Sequence, residues 1–307
     1  MRRASWFTRY LRTQTFTNGI NLIHHSYMYT TLIESDELPF IIDRPNTVIF
    51  DCRHELTDSE YGINSYNKGH IPNAIFASMD NSLSQKTNGK NGRHPLPELS
   101  AFTSWLGVCG VTQSTQVIAY DDAGGAYASR LWLLLKWLSH DAVAVLNGGL
   151  QAWISQGGNL ALDTPNQNSS ETFEPEFRAI LVDSDFILQH LDDEQTLVVD
   201  ARSNDRFHGQ NESIDPIAGH IPGAINRFFK DNLDSTGKFL AAKDLKKAFE
   251  AILGDNCEKT IIHQCGSGVT ACHNLLAMEV AGIKNSKLYP GSWSEWISDP
   301  SRPISND

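Results

Sequence analysis

The 307-residue sequence contains no apolar run as long as the roughly 20 residues that a membrane-spanning helix needs. The most apolar stretch, residues 131–138, is interrupted by Lys136. Basic residues are also scarce, because 25 lysines and arginines face 36 acidic residues and leave a net charge of -11. Nucleic-acid binders usually have the opposite balance. The sequence therefore predicts a protein that binds neither membranes nor nucleic acid.

Cysteines are few, and none is paired by its spacing. There are five, an odd number without a Cys-x-x-Cys motif: Cys52, Cys109, Cys257, Cys265 and Cys272. This pattern argues against a disulfide framework and against a zinc site. We therefore expect reduced thiols, no metal and no cofactor, in a reducing compartment such as the cytoplasm.

Residues 1–30 contain four arginines and no acidic residue. We expect this basic arm to lie outside the folded domains, either as a disordered segment or as a transit peptide. Transit peptides are basic and poor in acidic residues, so a mitochondrial location is the alternative to the cytoplasm. A compact protein that opens at Met28 is a further interpretation.

From Leu38 onward, short β-branched runs alternate with helical ones. The clearest strands are predicted at 48–53, 117–120 and 143–146, and the clearest helices at 99–106 and 127–138. Strands that alternate with helices are typical of parallel α/β architecture. The fold class is therefore predicted as α/β.

The same pattern then occurs a second time. Residues 198–202 repeat 49–53, residues 219–224 repeat 69–74, and residues 289–296 repeat 146–153. Equivalent positions lie 143 to 150 residues apart and keep their order, which indicates a tandem duplication of one module. We predict a first domain over residues 31–157, a polar linker over 158–177 and a second domain over 178–307.

The stretch from Cys265 to Thr270 follows a predicted buried strand and precedes a predicted helix. Its sequence is Cys-Gly-Ser-Gly-Val-Thr. The two glycines let successive backbone N–H groups turn toward one point, and the helix adds its positive end there. A thiol at that point should ionise easily, so we interpret Cys265 as a nucleophile rather than a structural cysteine. The first module has Asp121 in the equivalent place, and we expect it to be non-catalytic.

Two other repeated features favour a structural role. His70 and His220 occupy the Gly-His-Ile-Pro turn of each module, and Asp51 and Asp200 end equivalent strands. Both features occur in the half without the loop cysteine. We therefore expect them to maintain the shape of each module. We expect Cys272, about two helical turns beyond Cys265, to pack in the core, and a resolving thiol is the alternative role.

Residues 38–300 resemble the tandem-domain rhodanese family of sulfurtransferases. The resemblance is carried by the two Gly-His-Ile-Pro turns, the Asp-x-Arg strand ends, the loop from Cys265 to Ala271 and Gly-Ser-Trp-Ser-Glu-Trp at 291–296. The loop is similar to that of the 3-mercaptopyruvate sulfurtransferase branch, whereas the thiosulfate branch typically has basic residues just after the cysteine. The resemblance implies two rhodanese-like domains, each a mainly parallel sheet flanked by helices.

The resemblance implies an enzyme that moves a sulfane sulfur from 3-mercaptopyruvate through a Cys265 persulfide and releases pyruvate. The acceptor would be a thiol, such as thioredoxin, or cyanide, and we expect a monomer. Two alternatives stay open: thiosulfate as the donor with sulfite as the product, and a non-catalytic sulfur carrier or sensor. A phosphatase is rejected, because the arginine it needs six positions after the cysteine is Ala271 here.

Further residues match family positions one by one. Ser267 and Asp80 match the serine and the first-domain aspartate that complete a Cys-Ser-Asp set, and His94 matches a histidine near the site. Arg206 matches an arginine that grips the carboxylate of the donor, for which its fork is suited. The remaining loop positions are expected to hold the substrate sulfur through their N–H groups: Gly266, Gly268, Val269 and Thr270.

One expected residue is missing. The mercaptopyruvate branch usually has a second arginine between position 206 and the following Gly-His-Ile-Pro turn, but residues 208–218 contain none. Half of the anion clamp is therefore absent or is supplied from elsewhere in the chain. We expect Arg206 to carry most of the carboxylate contact.

Overall fold

The computed structural model describes residues 28–165, 172–254 and 258–306. Most of the predicted basic arm, part of the predicted linker and Cys257 lie outside these described residues. Within them, two α/β modules follow one another along the chain. No helix in the described part of the chain is long and apolar enough to cross a membrane.

The first module is a five-stranded parallel sheet in the order β1-β5-β4-β2-β3. Its strands are β1 (Leu32–Ile33), β2 (Thr47–Asp51), β3 (Ala74–Phe76), β4 (Gln116–Tyr120) and β5 (Val143–Leu146). Its helices are a 3-10 helix (Leu38–Phe40), α1 (Tyr61–Lys68), α2 (Leu99–Val108), α3 (Ala128–Trp137) and α4 (Gly149–Ser155). Helices cover both faces of the sheet, which explains why β4 after Gln116, and all of β5, are apolar instead of alternating.

The second module repeats this topology with a four-stranded parallel sheet in the order β7-β6-β8-β9. Its strands are β6 (Thr196–Asp200), β7 (Ile225–Asn226), β8 (Thr260–Gln264) and β9 (Ser286–Leu288). Its helices are α5 (Ser184–Gln189), α6 (Asn204–Phe207), a 3-10 helix (Phe229–Asn232), α7 (Ala242–Leu253), α8 (Ala271–Val280) and α9 (Ser292–Trp296). A parallel bridge between Leu181 and Leu288 stands where β1 pairs with β5 in the first module. The equivalent strand orders confirm the predicted duplication.

The Asp-x-Arg strand ends fasten each sheet to its Gly-His-Ile-Pro turn. In the first module, Arg53 Nη2 donates to Asp51 Oδ2 at 2.6 Å and to the carbonyl of Gly69 at 2.8 Å. Arg202 makes the same contacts with Asp200 and Gly219 in the second module. Because these charges are buried, paired and hydrogen-bonded, they are structural.

The Gly-His-Ile-Pro histidines pack in the core, as predicted. Both ring nitrogens of His70 lie 3.0 Å from backbone carbonyls, and His220 Nδ1 lies 2.8 Å from another. The carbonyl partner of His70 Nε2 is that of Asp163, in the predicted linker. This part of the linker therefore lies against the first module.

The two modules meet along α3 and α8, the helices that follow their two loops. Residues 128–136 of α3 and 271–278 of α8 are all buried. A helix that is apolar on every face is covered on every face, and here each helix is covered by its own sheet and by the other module. One continuous apolar cluster therefore contains residues of both modules. The loops at the start of α3 and α8 are brought to this shared interface.

Candidate active site

Cys265 lies directly after β8, at the carboxyl end of a parallel strand, and is 2% exposed. Its N–H donates to Ser292 Oγ at 3.1 Å, and its carbonyl accepts from Trp293 N–H at 3.0 Å. The start of α9 therefore holds the cysteine backbone from both sides. Open α/β sheets bind ligands at this end of their strands.

The loop after Cys265 presents backbone donors to the sulfur. Gly268 N–H donates to Cys265 Sγ at 3.2 Å, and α8 begins at Ala271. Gly268 has a φ of +74°, and a methyl group there would lie 2.1 Å from the carbonyl oxygen of Pro290. Only glycine fits this position. The Gly268 N–H and the positive end of α8 both point partial positive charge toward the sulfur.

The equivalent loop of the first module already contains its own anion. Asp121 is fully buried, and its carboxylate accepts four backbone N–H bonds of 2.8 to 2.9 Å. Burial raises the pKa of Asp121, while the four N–H groups oppose this effect. The two equivalent loops, one after β4 and one after β8, thus form anion-binding sites. The Asp121 carboxylate fills the first, and the Cys265 thiol lies at the second.

Ser267, His94 and Asp80 form a chain of polar groups beside the cysteine. Ser267 Oγ lies 2.8 Å from His94 Nδ1, and His94 Nε2 lies 3.8 Å from Asp80 Oδ1. The histidine and the aspartate come from the first module and the serine from the second. The structure therefore brings these three predicted residues together, with His94 between the other two.

His94 is neutral at physiological pH. Burial, reinforced by Arg130, His54 and Arg93, lowers the pKa of His94 to about 3. In the tautomer that has its hydrogen on Nε2, on the side of Asp80, Nδ1 accepts a hydrogen bond from the Ser267 hydroxyl. His54 stands edge-on to His94 with 5.9 Å between ring centroids. His54, Asp80 and His94 are also the group in the described residues whose ligand atoms, within 4.8 Å of one another, could hold a metal ion.

A cavity of about 550 Å³ opens on Cys265 and is lined by both modules. Gly266, Ser267, Val269 and Thr270 of the predicted site lie on its wall, whereas His94 and Asp80 do not. Four basic side chains also line it: Arg93, Arg202, Arg206 and Lys230. The cavity is therefore suited to a small anionic molecule.

Arg206 lies in this wall and is oriented by two carboxylates. Its Nε donates to both oxygens of Glu212, at 2.9 and 3.1 Å, and its Nη2 donates to Asp215 at 3.0 Å. Burial disfavours the charged form of Glu212, but hydrogen bonds from Arg206 and the backbone outweigh this and lower its pKa. Arg206 shares the cavity wall with other arginines. One of them, Arg93 of the first module, also donates to Asp215.

Sequence reasoning missed Arg130, which joins the first module to the cysteine loop. This arginine of α3 is fully buried, and its Nη1 donates to the carbonyl of Gly268 at 3.0 Å. Its Nη2 donates to the carbonyl of His94 at 3.1 Å. Burial lowers the pKa of Arg130. The available signal was a charge within an otherwise apolar helix, which calls for buried partners.

Cys272 packs in the core, as predicted. It is fully buried, and its Sγ donates to the carbonyl of Gly268 at 3.3 Å. Burial is the main cause that raises the pKa of Cys272 to about 12. This thiol therefore stays protonated and unreactive at neutral pH.

Buried histidines predict that the protein loses stability in mild acid. Burial lowers the pKa of His263 to about 3 and that of His273 to about 4, and His94 behaves alike. The unfolded chain binds their protons below about pH 6.5, but the folded chain does not until pH 3 to 4. Their stabilisation is present above pH 6.5 and is lost as pH falls, by up to about 4 kcal/mol per pH unit near pH 5.

Urea unfolding followed by tryptophan fluorescence at pH 7, 6 and 5 measures this slope. Replacing His263 with leucine, of similar volume, should reduce the slope by about one proton. A free energy of unfolding that rises between pH 7 and pH 5 would contradict the assignment of these rings as neutral.

A buried cysteine at the end of a parallel strand, cradled by N–H groups beside a cationic cavity, defines a protein that reacts through sulfur with a small anion. The chain belongs to the rhodanese-like domain family, which matches residues 34–156 and 184–299. One match falls in each module.

Similar proteins agree with this assignment. The chain is 41% identical over 275 residues to a probable 3-mercaptopyruvate sulfurtransferase from Pseudomonas aeruginosa, covering 89% of this chain and 97% of the relative. It is 35% identical over 291 residues to a putative thiosulfate sulfurtransferase from Mycobacterium tuberculosis, covering 89% and 96%. The structure of 3-mercaptopyruvate sulfurtransferase from Leishmania major superposes with a TM-score of 0.76 at 30% identity, covering 87% of this chain and 74% of that one. The chain is a sulfurtransferase, and the enzyme class predicted from the sequence is confirmed.

Proposed function

We propose that this sulfurtransferase takes its sulfur from 3-mercaptopyruvate and passes it to a thiol. The Cys265 thiolate attacks the donor sulfur, an S–S bond forms and the C–S bond of the donor breaks. The electron pair of the C–S bond moves to the methylene carbon, which takes up a proton to give pyruvate. Cys265 keeps a persulfide, from which a thiol acceptor removes the outer sulfur and regenerates the cysteine.

The contact between Ser267 and His94 is the main observation that favours 3-mercaptopyruvate as the donor. As the C–S bond breaks, the Ser267 hydroxyl, which lies 2.8 Å from the neutral His94, can donate its proton to the methylene carbon and is then reprotonated from solvent. Thiosulfate would release sulfite, a stable anion that needs no proton on carbon. A proton donor beside the nucleophile therefore favours mercaptopyruvate.

The cavity supports the same donor. Its volume of about 550 Å³ suits a small molecule, and Arg206 supplies a planar fork for a carboxylate. The relatives named for 3-mercaptopyruvate include the one at 41% identity. We further propose that the acceptor is a protein dithiol such as thioredoxin, because a persulfide reacts with a thiolate, and that the enzyme acts as a monomer in the cytoplasm. The free thiols of the described residues suit a reducing compartment.

Parallel kinetics with two donors test the proposal. Pyruvate release from 3-mercaptopyruvate with dithiothreitol is compared with thiocyanate formation from thiosulfate and cyanide. We expect kcat/KM to be at least about 100-fold higher with 3-mercaptopyruvate, the lower end of what general acid–base catalysis supplies. Mass spectrometry after donor alone should find one added sulfur on Cys265.

Each other outcome selects an alternative. A higher kcat/KM with thiosulfate would identify the chain as a thiosulfate sulfurtransferase. Sulfur on Cys265 without turnover by either donor would identify it as a sulfur carrier. An absence of both sulfur addition and turnover would contradict the sulfur-transfer reading of the site.

A further inference from the structure

Asp215 joins two arginines that come from different modules. Its Oδ2 accepts from Arg206 Nη2 at 3.0 Å, and its Oδ1 accepts from Arg93 Nη1. The Asp215 side chain is 1% exposed, while 17% of the Arg206 side chain and 30% of the Arg93 side chain are exposed. The carboxylate is therefore hidden behind the two guanidinium groups, which both reach solvent.

The two guanidinium groups converge beside the nucleophile. A methyl group on Gly266, the residue after Cys265, would lie 2.7 Å from Arg93 Nη2 and 3.7 Å from Arg206 Nη2. Both arginines line the cavity that opens on Cys265. The absence of a side chain at Gly266 leaves the room in which the two forks approach the reacting sulfur.

Both forks keep donors for a ligand. Among the described residues, no acceptor is bonded to Arg93 Nη2, Arg93 Nε or Arg206 Nη1, whereas their other guanidinium donors are held by Asp215 and Glu212. The third arginine of the cavity differs, because Arg202 is held by Asp200, by a carbonyl and by stacking on Trp293. Its Nη1 has no hydrogen-bond partner among the same residues but is buried 3.5 Å from Glu212, and the side chain is only 1% exposed. Arg93 and Arg206 are therefore the two arginines of the cavity wall that keep donors for an anion on exposed side chains.

The segment that carries Arg93 is tied to the second module. The N–H of Arg93 donates to Ser294 Oγ at 3.0 Å. Gly92, with a φ of +83°, lies so close to Gly291 that a methyl group would be 2.8 Å from its carbonyl oxygen. These contacts hold the Arg93 backbone in place before a ligand arrives, which reduces the entropy lost on binding.

We propose that Arg93 and Arg206, oriented by Asp215, form a clamp for the carboxylate of the sulfur donor, with one arginine from each module. The proposal rests on the proposed function. It supplies the second guanidinium that residues 208–218 lack, and it makes the first module part of donor recognition. The alternative is a purely structural role, in which the Arg93–Asp215 pair only fastens the two modules together.

Steady-state kinetics of Arg93→Gln and Arg93→Lys with 3-mercaptopyruvate test the clamp. Losing a charge-assisted pair of bonds should raise the KM for the donor about 10- to 100-fold in Arg93→Gln with kcat little changed. Arg93→Lys keeps the charge but loses the fork, so its KM should lie between the two. The KM for cyanide or dithiothreitol should not change, because the persulfide stage contains no donor carboxylate.

Two further variants separate recognition from fastening. Arg93→Gln leaves Asp215 with one partner fewer, so the double variant Arg93→Gln/Asp215→Asn removes the unpaired carboxylate and should still show the raised KM. Arg178→Gln is the matched control, because Arg178 pairs with Asp141 of the first module at 2.7 Å and lies outside the cavity wall. It should leave both KM values unchanged.

The outcomes are distinct. An unchanged KM for the donor in Arg93→Gln, with a lowered melting temperature, would show that Arg93 only fastens the modules and would overturn the clamp. A lowered kcat at unchanged KM would also overturn it, by moving Arg93 to the chemical step. Wild-type enzyme that releases no pyruvate from 3-mercaptopyruvate would instead refute the proposed donor. That result would refute the carboxylate clamp as well, because thiosulfate has no carboxylate for it to bind.

Discussion

Replacing Cys265 with serine is expected to abolish sulfur transfer from every donor. A serine hydroxyl is not ionised at neutral pH, and it cannot hold a transferred sulfur as a persulfide. The Gly268 N–H, which donates to Cys265 Sγ at 3.2 Å, can stabilise a thiolate, but the neutral hydroxyl of the variant offers it no anion. Product formation with both 3-mercaptopyruvate and thiosulfate should fall to the rate measured without enzyme, and no sulfur should be added to the protein.

Cys272→Ser is the control for this loss. Cys272 is fully buried and donates to the carbonyl of Gly268, a bond that a serine hydroxyl can also make. Most of the activity should therefore remain. A Cys272→Ser variant that is inactive but of normal stability would show that the second thiol takes part in turnover. Comparable turnover by Cys265→Ser and the wild type would remove Cys265 as the nucleophile.

Replacing Ser267 with alanine is expected to separate the two donors. In the proposed mechanism, the proton that reaches the methylene carbon of mercaptopyruvate comes from the Ser267 hydroxyl, which lies 2.8 Å from His94. Losing this proton donor should lower kcat with 3-mercaptopyruvate by about 10²- to 10⁴-fold, the usual contribution of a positioned acid or base. Turnover of thiosulfate should fall by much less, because sulfite leaves without protonation on carbon.

Asp80→Asn provides a graded comparison. The Asp80 side chain is 45% exposed and 3.8 Å from His94, so solvent screens its effect on the ring. Asp80→Asn should therefore lower kcat with 3-mercaptopyruvate, but by less than Ser267→Ala does. Equal losses with both donors in Ser267→Ala would show that the serine acts on the shape of the cysteine loop instead of on the proton.

The nucleophile and the fold could be predicted because their signals are local. Cys265 is marked by the glycines that follow it, and the duplication is marked by motifs that recur in order. Both depend on contacts between residues close in the chain. The same reason explains why helix bounds such as Ala128–Trp137 were predicted within one residue.

The contacts of Arg93 and Arg130 could not be predicted, because they depend on how one module is placed against the other. Arg93 is 122 residues from Asp215, and Arg130 is 138 residues from Gly268. In the sequence, Arg93 is one charge in a glycine- and asparagine-rich loop. Its importance appears only once the modules pack through α3 and α8.

The carboxylate of Asp121 has a consequence for how the two loops respond to turnover. Four N–H groups of the first loop are satisfied permanently by this side chain. The second loop gains an equivalent acceptor only when Cys265 carries an outer sulfur. Hydrogen bonds from the loop to that outer sulfur can form only in the folded state, so they would add to its stability. We therefore expect the loop after Cys265 to open less readily in the sulfur-loaded enzyme than in the free enzyme, whereas opening of the Asp121 loop should not depend on the supply of donor.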